Sequence, residues 1–362
     1  MSELVRQWQE RVRAAAADGE SLQLRGGGTK DFYGRRVSGT VLDTRAHRGV
    51  SAYEPTELVV SARAGTPLAE LEQLLADRGQ MLAFEPPHFG AAATVGGCVA
   101  AGLSGPRRLA AGPLRDYVLG VTVMDGRGEV LRFGGQVMKN VAGYDVSRLF
   151  AGSLGVFGIL LEVSLKVLPV PFAERSLRFD CGESDAIRRL NDWGGQPLPL
   201  SASFWYGGVL TVRLSGAAAA VQAASAKLGG EPCDEAEAAR FWLAVREQAC
   251  APLAQETAQP GGPTQPLWRI AVPSAAPALE LTGRQCIEWG GGLRWLRTEL
   301  PAQAVRERAH ALGGHASLFA GGDRESEVFH PLPQASMAIH RRLKQAFDPA
   351  GVFNPGRLQD GL

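Results

Sequence analysis

The chain has 362 residues, 45% apolar and 21% charged, with 38 basic against 37 acidic side chains and a formal net charge of +1. That length exceeds what one hydrophobic core usually holds, and the composition is ordinary for a globular protein. The balanced charge argues against a nucleic-acid binder, the scattered charges at the amino terminus against a secretory signal, and the lack of any apolar run near ~20 residues against membrane insertion, so a cytoplasmic location is expected.

In chain order, Leu4, Trp8 and Val12 recur at helical spacing and predict a short amphipathic helix. From Leu22 to Pro171, short β-like runs are punctuated by Gly and Pro: Thr40–Asp43, Leu58–Ala62, Val118–Met124, Glu129–Phe133 and Gly158–Leu168. One helix interrupts them at Pro67–Asp77, with Leu68, Leu71, Leu74 and Leu75 on one face. Val121 to Leu131 reads as a hairpin turning at Asp125-Gly126. Strands mixed with single helices indicate an α+β fold rather than a regular βαβ array. Pro169-Val170-Pro171 marks a domain boundary.

Beyond it, strands are expected at Ser176–Phe179, Ser203–Tyr206, Val209–Leu214, Trp268–Val272, Gln285–Trp289, Leu293–Arg297 and Ala316–Phe319. Helices are expected at Asp185–Trp193, Ala217–Lys227, Ala302–Leu312 and Pro333–Phe347, with a loop over Pro252–Pro266. This pattern describes an α/β sandwich with helices on one antiparallel sheet. The expected division is residues 1–171, a second domain at 172–332, and a helix and tail at 333–362.

The cysteines, Cys98, Cys181, Cys233, Cys250 and Cys286, are no closer than seventeen positions apart. Iron–sulfur clusters and structural zinc need gathered thiolates, so no metal is expected and the thiols read as buried groups in a reducing compartment. Of the six histidines only His310 and His315 are close, five positions apart, and all are read as structural or exposed.

Three glycine-rich segments carry the chemistry. In Arg25-Gly26-Gly27-Gly28-Thr29-Lys30, bare backbone N–H groups form a nest for phosphate oxygens, with Thr29 adding a hydroxyl and Arg25 or Lys30 positive charge. The alternative is a plain tight turn, and neither P-loop nor G-x-G-x-x-G spacing is met. In Thr94–Gly105 almost every residue is small, so a core helix there would bury little and close approach to a flat, bulky ligand explains the segment better. Gly152, Gly155 and Gly158 open into a strand, which fits either a ligand contact or a turn before a β-edge.

The order of these segments, together with Tyr53–Val60, Ala64–Leu68 and Leu114–Gly120, resembles the vanillyl-alcohol-oxidase/PCMH family of FAD proteins. Phe84–Gly90, Gly102–Arg108 and Val137–Asp145 are similar to segments of the smaller FAD-binding subunits of bacterial glycolate oxidases. The likeness covers residues 20–171 and the tail Phe347–Leu358. It implies a PCMH-type two-subdomain FAD-binding domain followed by an α/β-sandwich cap with an antiparallel sheet. Gly26, Gly27, Gly28, Thr29 and Lys30 would then cradle the pyrophosphate. Thr94, Val95, Gly96, Gly97, Gly102, Ser104 and Gly105 would line the diphosphate–ribityl side. Gly158 and Ile159 would offer main-chain groups to the adenine. Relatives with covalent flavin commonly carry His where this chain has Thr29, which implies non-covalent FAD.

Oxidation of a 2-hydroxy acid needs a cation for the carboxylate and a base or metal for the hydroxyl proton. Related lactate and glycolate dehydrogenases carry a His/Asp/Glu-rich stretch in the second domain that this chain lacks. His315, Glu327 and His330 are its nearest approximation and read as surface positions. Arg108, His88 and Arg357 are the candidates for catalysis, and Lys139 with Asn140 either lies under the flavin ring or caps a helix. The resemblance implies a subunit that passes electrons between a larger FAD-linked subunit and an iron–sulfur subunit of a glycolate oxidase. The alternatives are a self-contained 2-hydroxyacid dehydrogenase of the D-lactate type and a structural subunit with a vestigial flavin fold.

Overall fold

Helix α1 (Glu3–Asp18) opens the chain, capped by the Ser2 hydroxyl and closed by Gly19 at φ 67°. Its buried stripe is Val5, Trp8, Val12 and Ala15, one position round from Leu4. The stripe packs over the parallel pair β1 (Leu22–Arg25) and β2 (Thr40–Asp43). Next come β3 (Val50–Glu54), β4 (Val59–Arg63), α2 (Leu68–Ala76), β5 (Gln80–Met81), α3 (Val95–Ala101) and α4 (Arg108–Ala111). The half ends with β6 (Val118–Met124), β7 (Val130–Gly134), β8 (Ile159–Lys166) and β9 (Leu168–Pro169). The computed structural model describes residues 2–135, 145–254 and 265–362, so Lys139, Asn140, most of the Val137–Asp145 segment and most of the Pro252–Pro266 loop lie outside the described residues.

Strands β3, β4, β8, β6 and β7 form a five-stranded antiparallel sheet in that order. Leu68, Leu71 and Leu75 of α2 and Val95, Cys98 and Val99 of α3 bury against it. The β6–β7 hairpin forms, but its connection is longer than an Asp-Gly turn: Met124 pairs with Val130 across Asp125–Glu129. Buried Asp125 organises this loop by accepting the Arg127 and Glu129 N–H groups at 2.9 and 2.8 Å.

The second half contains β10 (Ala173–Asp180), α5 (Glu183–Gly194), β11 (Leu200–Tyr206), β12 (Val209–Gly216), α6 (Ala218–Leu228), β13 (Glu231–Pro232) and α7 (Glu235–Arg246). It continues with β14 (Leu267–Ala271), β15 (Arg284–Glu288), β16 (Leu293–Arg297), α8 (Ala302–Ala311) and β17 (His315–Ala320). These strands make an antiparallel eight-stranded sheet in the order β13-β10-β12-β11-β15-β16-β14-β17. The protein is therefore α+β, with an antiparallel sheet in each half.

Alternation along the strands sets what each face of the larger sheet meets. Trp268, Ile270, Leu296 and Leu318 turn to one side and pack with Val305 and Ala309 of α8. Leu267, Cys286, Leu293, Trp295 and Phe319 turn to the other side and share a core with Tyr33, Ala101, Leu103 and Leu154 of the first half. That shared core fixes the two sheets as walls of one cleft.

Helix α9 (Gln334–Phe347) and the tail return to the first half. Leu343, Phe347 and Leu358 pack on its core. Buried Lys344 donates to the carbonyls of Val156 and Phe353 and to Asp348 at 2.7 to 2.9 Å. Asn354 accepts the Leu24 N–H and donates to the Leu154 carbonyl, and Phe353 bridges in parallel to Leu22.

Candidate functional site

The loop leaving β1 explains its three glycines by close packing. A Cβ on Gly27 would lie 1.5 Å from the Ala92 carbonyl oxygen, and one on Gly26 2.5 Å from Thr94 Oγ1. Gly28 sits at φ +72°, a conformation L side chains avoid. The loop thus presses against the residues leading into α3, and its backbone forms one wall of a cleft. Arg25, Gly26, Gly27, Gly28, Thr29 and Lys30 line that cleft opposite Thr94, Gly97 and Arg357.

Two cations are held there. Lys30, 9% exposed, donates to the His88 carbonyl at 3.2 Å and stands 5.6 Å from the Phe89 ring. Burial draws the ammonium below its ordinary value. Arg357 is buried and donates through Nη2 to the Lys30 and Tyr33 carbonyls at 3.4 and 3.3 Å. Its Nε has no partner, and burial likewise lowers the guanidinium. A buried, underused donor beside a glycine nest fits an anionic diphosphate, which would supply the missing acceptors.

Thr94–Gly105 corrects one expectation, because its centre is a buried helix. Thr94 caps α3 by accepting the Gly97 N–H at 3.2 Å. The residues are small because the helix lies directly on β4: a Cβ on Gly96 would meet that of Ala64 at 2.6 Å. Val95 and Gly96 face this packing, while Gly97, Ala100 and Ala101 face the cleft. Gly102 ends the helix at φ 65°, against the backbone of Gly152.

Ser104 and Gly105 line a second, small cavity farther along the interface, where Ser104 accepts the Leu114 N–H and Gly105 accepts from Trp289 Nε1. Gly158 and Ile159 start β8, with Gly158 against the Met124 carbonyl and Ile159 in the core under α1. They are not gathered with the Arg25–Lys30 loop. A wider opening of about 530 Å³, lined by Thr29, Phe32, Phe89, Gly90, Gln248 and Arg297, shares Thr29 with the glycine nest and Phe89 and Gln248 with the inner cavity, so the three adjoin along one cleft.

Of the three catalytic candidates, His88 faces away from chemistry. Its Nε2 meets Glu72 of α2 at 2.8 Å, and its N–H, with that of Phe89, is accepted by Glu247. Arg357 belongs to the glycine-nest end. Arg108 lies at the inner end, its guanidinium 4.3 Å from the centre of the Trp289 ring. Its neighbour Arg107 is structural. Buried Arg107 and Arg213 of β12 both engage Glu85, and Arg107 also pairs with Glu174 of β10. His315 and His330 approach to 6.0 Å between ring centres, but Glu327 pairs with Arg306 instead. Among the described residues no group of His, Cys, Asp and Glu is gathered for a metal ion.

Sequence reading missed Arg269 and Glu288. Register places Arg269 of β14 opposite Trp295 of β16, which is opposite Cys286 of β15, two residues before Glu288. All four therefore project onto the face that meets the first half. Glu288 is 4% exposed and accepts from Trp295 Nε1 at 2.7 Å. Burial pushes its carboxyl up to about 7, despite that hydrogen bond and nearby Arg269. The signal was alternation: Trp268, Ile270 and Val272 assign one face to α8, leaving Arg269 on the other.

A family model described as FAD binding domain matches residues 3–134, and one described as FAD linked oxidases, C-terminal domain, matches residues 320–358. Glycolate oxidase subunit GlcE of Escherichia coli (strain K12) is 47% identical over 96% of this chain and 95% of its own length. Glycolate oxidase subunit GlcD of Bacillus subtilis (strain 168) is 43% identical over 23% of this chain and 18% of its own. D-lactate dehydrogenase of Anaerostipes hadrus is 34% identical over 38% of this chain and 29% of its own. A solved alkyldihydroxyacetonephosphate synthase superposes with a TM-score of 0.66 at 16% identity, covering 97% of this chain and 75% of that one, and so shares the fold.

Proposed function

The chain belongs to the family of FAD-linked oxidase subunits that includes glycolate oxidase subunit GlcE, and on that premise we propose that it is the FAD-binding subunit of a glycolate oxidase complex. It binds FAD and is an oxidoreductase of the CH–OH class. In the assembly, oxidation of a 2-hydroxy acid to its 2-oxo product yields two electrons. FAD held by this chain would carry them between a larger FAD-linked subunit and an iron–sulfur subunit.

The observation that carries the reading is the convergence of the Gly26–Gly28 backbone, Lys30 and the half-satisfied Arg357 on one cleft. Gly26 to Lys30, with Arg25, hold the pyrophosphate in this reading, and Thr94 and Gly97 contact the chain that follows it. Val95, Gly96, Gly102, Gly158 and Ile159 serve by shaping the backbone around them. Thr29 offers no imidazole for a flavin bond, so the cofactor is held non-covalently. The dispersed cysteines support assigning the iron–sulfur centre to another chain. Among the described residues no helix is long and apolar enough to cross a membrane. Residues 1–171 act as the FAD-binding domain, 172–332 as its cap, and 333–362 as a strap back to the first.

Co-expression with candidate partner subunits, pull-down and flavin counting per chain test this function. One FAD on this chain and co-purification of a second flavin chain with an iron–sulfur chain are expected. Acid precipitation should leave the FAD in the supernatant. A chain that purifies colourless and refuses FAD, or one that captures no partner while oxidising glycolate rapidly by itself, would overturn it.

A further inference from the structure

A cavity of about 1020 Å³ lies at the edge of the second half's sheet, larger than the opening beside the glycine nest. Val221 and Gln222 of α6 line one side of it, Trp242 and Leu243 of α7 the other, and the start of β10 runs between them. The two helices sit on opposite faces of that strand. Val221 packs with Leu177 and Phe179, while Trp242 Nε1 donates to Ser176 Oγ at 2.8 Å.

Strand lengths explain the gap. All eight residues of β10, Ala173 to Asp180, pair with β12 on the inner side. On the outer side β13 supplies only Glu231 and Pro232, opposite Arg178 and Leu177. One further bond, from the Cys233 N–H to the Ser176 carbonyl, ends the pairing. That bond turns the Ser176 backbone outward, and alternation turns the N–H and C=O of Glu174 outward with it. No strand covers them among the described residues. The cavity is the track along which β13 would continue.

The rim is apolar. Phe172, just before β10, is 96% exposed and Leu243 is 50% exposed, and both line the cavity. A bare phenylalanine beside an uncovered strand edge is a combination that folded chains ordinarily suppress. The inner wall is fixed: Arg213 lies 5.1 Å from the Trp242 ring and pairs with Glu85, and Arg107 pairs with Glu174. Two lining charges, Arg175 of β10 and Glu235 at the start of α7, have no ion-pair partner among the described residues.

Two kinds of occupant fit poorly. The volume lies at the top of the ~300–1,000 Å³ range of small-molecule pockets, and the uncovered groups are main-chain groups along a strand rather than side chains converging on a point. A second copy paired edge to edge is ruled out because β10 lies recessed between α6 and α7, so two such edges cannot meet.

We propose that this slot receives an extended polypeptide segment of a partner subunit, which adds to the sheet as a strand beside β10. The Glu174 main chain gives and takes its ladder bonds. At ~3.3 Å per residue, about four or five residues of the segment span Phe172 to Ser176. An apolar side chain of the segment covers Phe172 and Leu243, an acidic one meets Arg175, and a basic one meets Glu235. That the segment comes from another subunit rests on the oxidase-complex function proposed above; the slot itself rests on the strand edge.

The test is co-expression of the full chain with the larger FAD-linked subunit and the iron–sulfur subunit, followed by affinity capture. F172D and L243D, both at exposed positions, should each lower the captured partner at least ten-fold, with FAD per chain and near-UV circular dichroism unchanged. In the wild-type complex, hydrogen exchange read by mass spectrometry should slow at least ten-fold in the peptide spanning Phe172 to Ser176. Gln222→p-benzoylphenylalanine, irradiated in the complex, should crosslink to one contiguous segment of a partner chain.

Undiminished capture by either aspartate variant would overturn the docking and leave the flavin-subunit function standing. So would unchanged exchange at Phe172 to Ser176, or crosslinking only to a second copy of this chain. A wild-type chain that holds FAD but captures neither subunit would overturn the complex and the docking together.

Discussion

Glu288→Gln isolates the energetic effect of burying one carboxyl at the domain interface. The ordinary glutamate value of 4.5 rises to about 7 in the folded chain, chiefly because burial penalises the charged form. Between these values the folded state holds a proton that the unfolded state has released. Stability is therefore fully supported by this group below pH 4.5, declines as pH rises, and has lost the contribution once Glu288 ionises above about 7. At about 1.4 kcal/mol per pH unit, the loss is roughly 3 kcal/mol. Glutamine keeps an acceptor for Trp295 Nε1 and cannot ionise. E288Q should match wild type near pH 5 and exceed it by roughly 2–3 kcal/mol at pH 8. Urea unfolding followed by tryptophan fluorescence, at unit steps from pH 5 to 8, measures both slopes. Parallel slopes for the two proteins would refute the reasoning, because the titrating group would then lie elsewhere.

Gly27→Ala forces the loop off the Ala92 carbonyl, 1.5 Å from the new Cβ; FAD per chain, read from absorbance after desalting, should fall at least ten-fold. Glu85→Ala strands buried Arg213 without its carboxylate, leaves Arg107 with Glu174 alone, and should cost about 3–5 kcal/mol in urea unfolding. Thr94→Val removes the cap on α3, where Thr94 Oγ1 accepts from Gly97, and should cost about 1 kcal/mol in the same assay. Its FAD affinity should fall as well, measured by fluorescence quenching of added FAD, because Thr94 lines the cleft.

The elements of the second half were legible because their strands alternate cleanly and Gly207-Gly208 marks its own hairpin, where Tyr206 pairs with Val209. Helix α7 was not read, although Asp234 caps it, since its apolar positions are interrupted by Glu and Arg. Small residues in Thr94–Gly105 carry two meanings that sequence cannot separate. Gly96 is small to admit Ala64, and Gly97 borders the cleft on the same helix. His88 looked reactive because its partners are distant in sequence: Glu72 and Glu247 come from α2 and the end of α7. Glu288 and Arg269 escaped notice for the opposite reason. Arg269 is the lone charge in an apolar strand and Glu288 the last residue of a strand that opens on Arg284 and Gln285, and strand order alone brings them to a shared face.

Arg357 also imposes an order in time. The glycine nest is made early in synthesis, yet its buried guanidinium arrives only after some three hundred further residues, carried by the strap that Lys344 and Asn354 fasten to the first half. The amino-terminal domain can collapse around its own sheet as it emerges. Its cleft gains its last wall only when the cap has been translated and the strap has closed over it. A chain interrupted before Arg357 lacks the cation that closes the nest, and if the nest takes FAD as proposed, cofactor capture would report on completion of the chain.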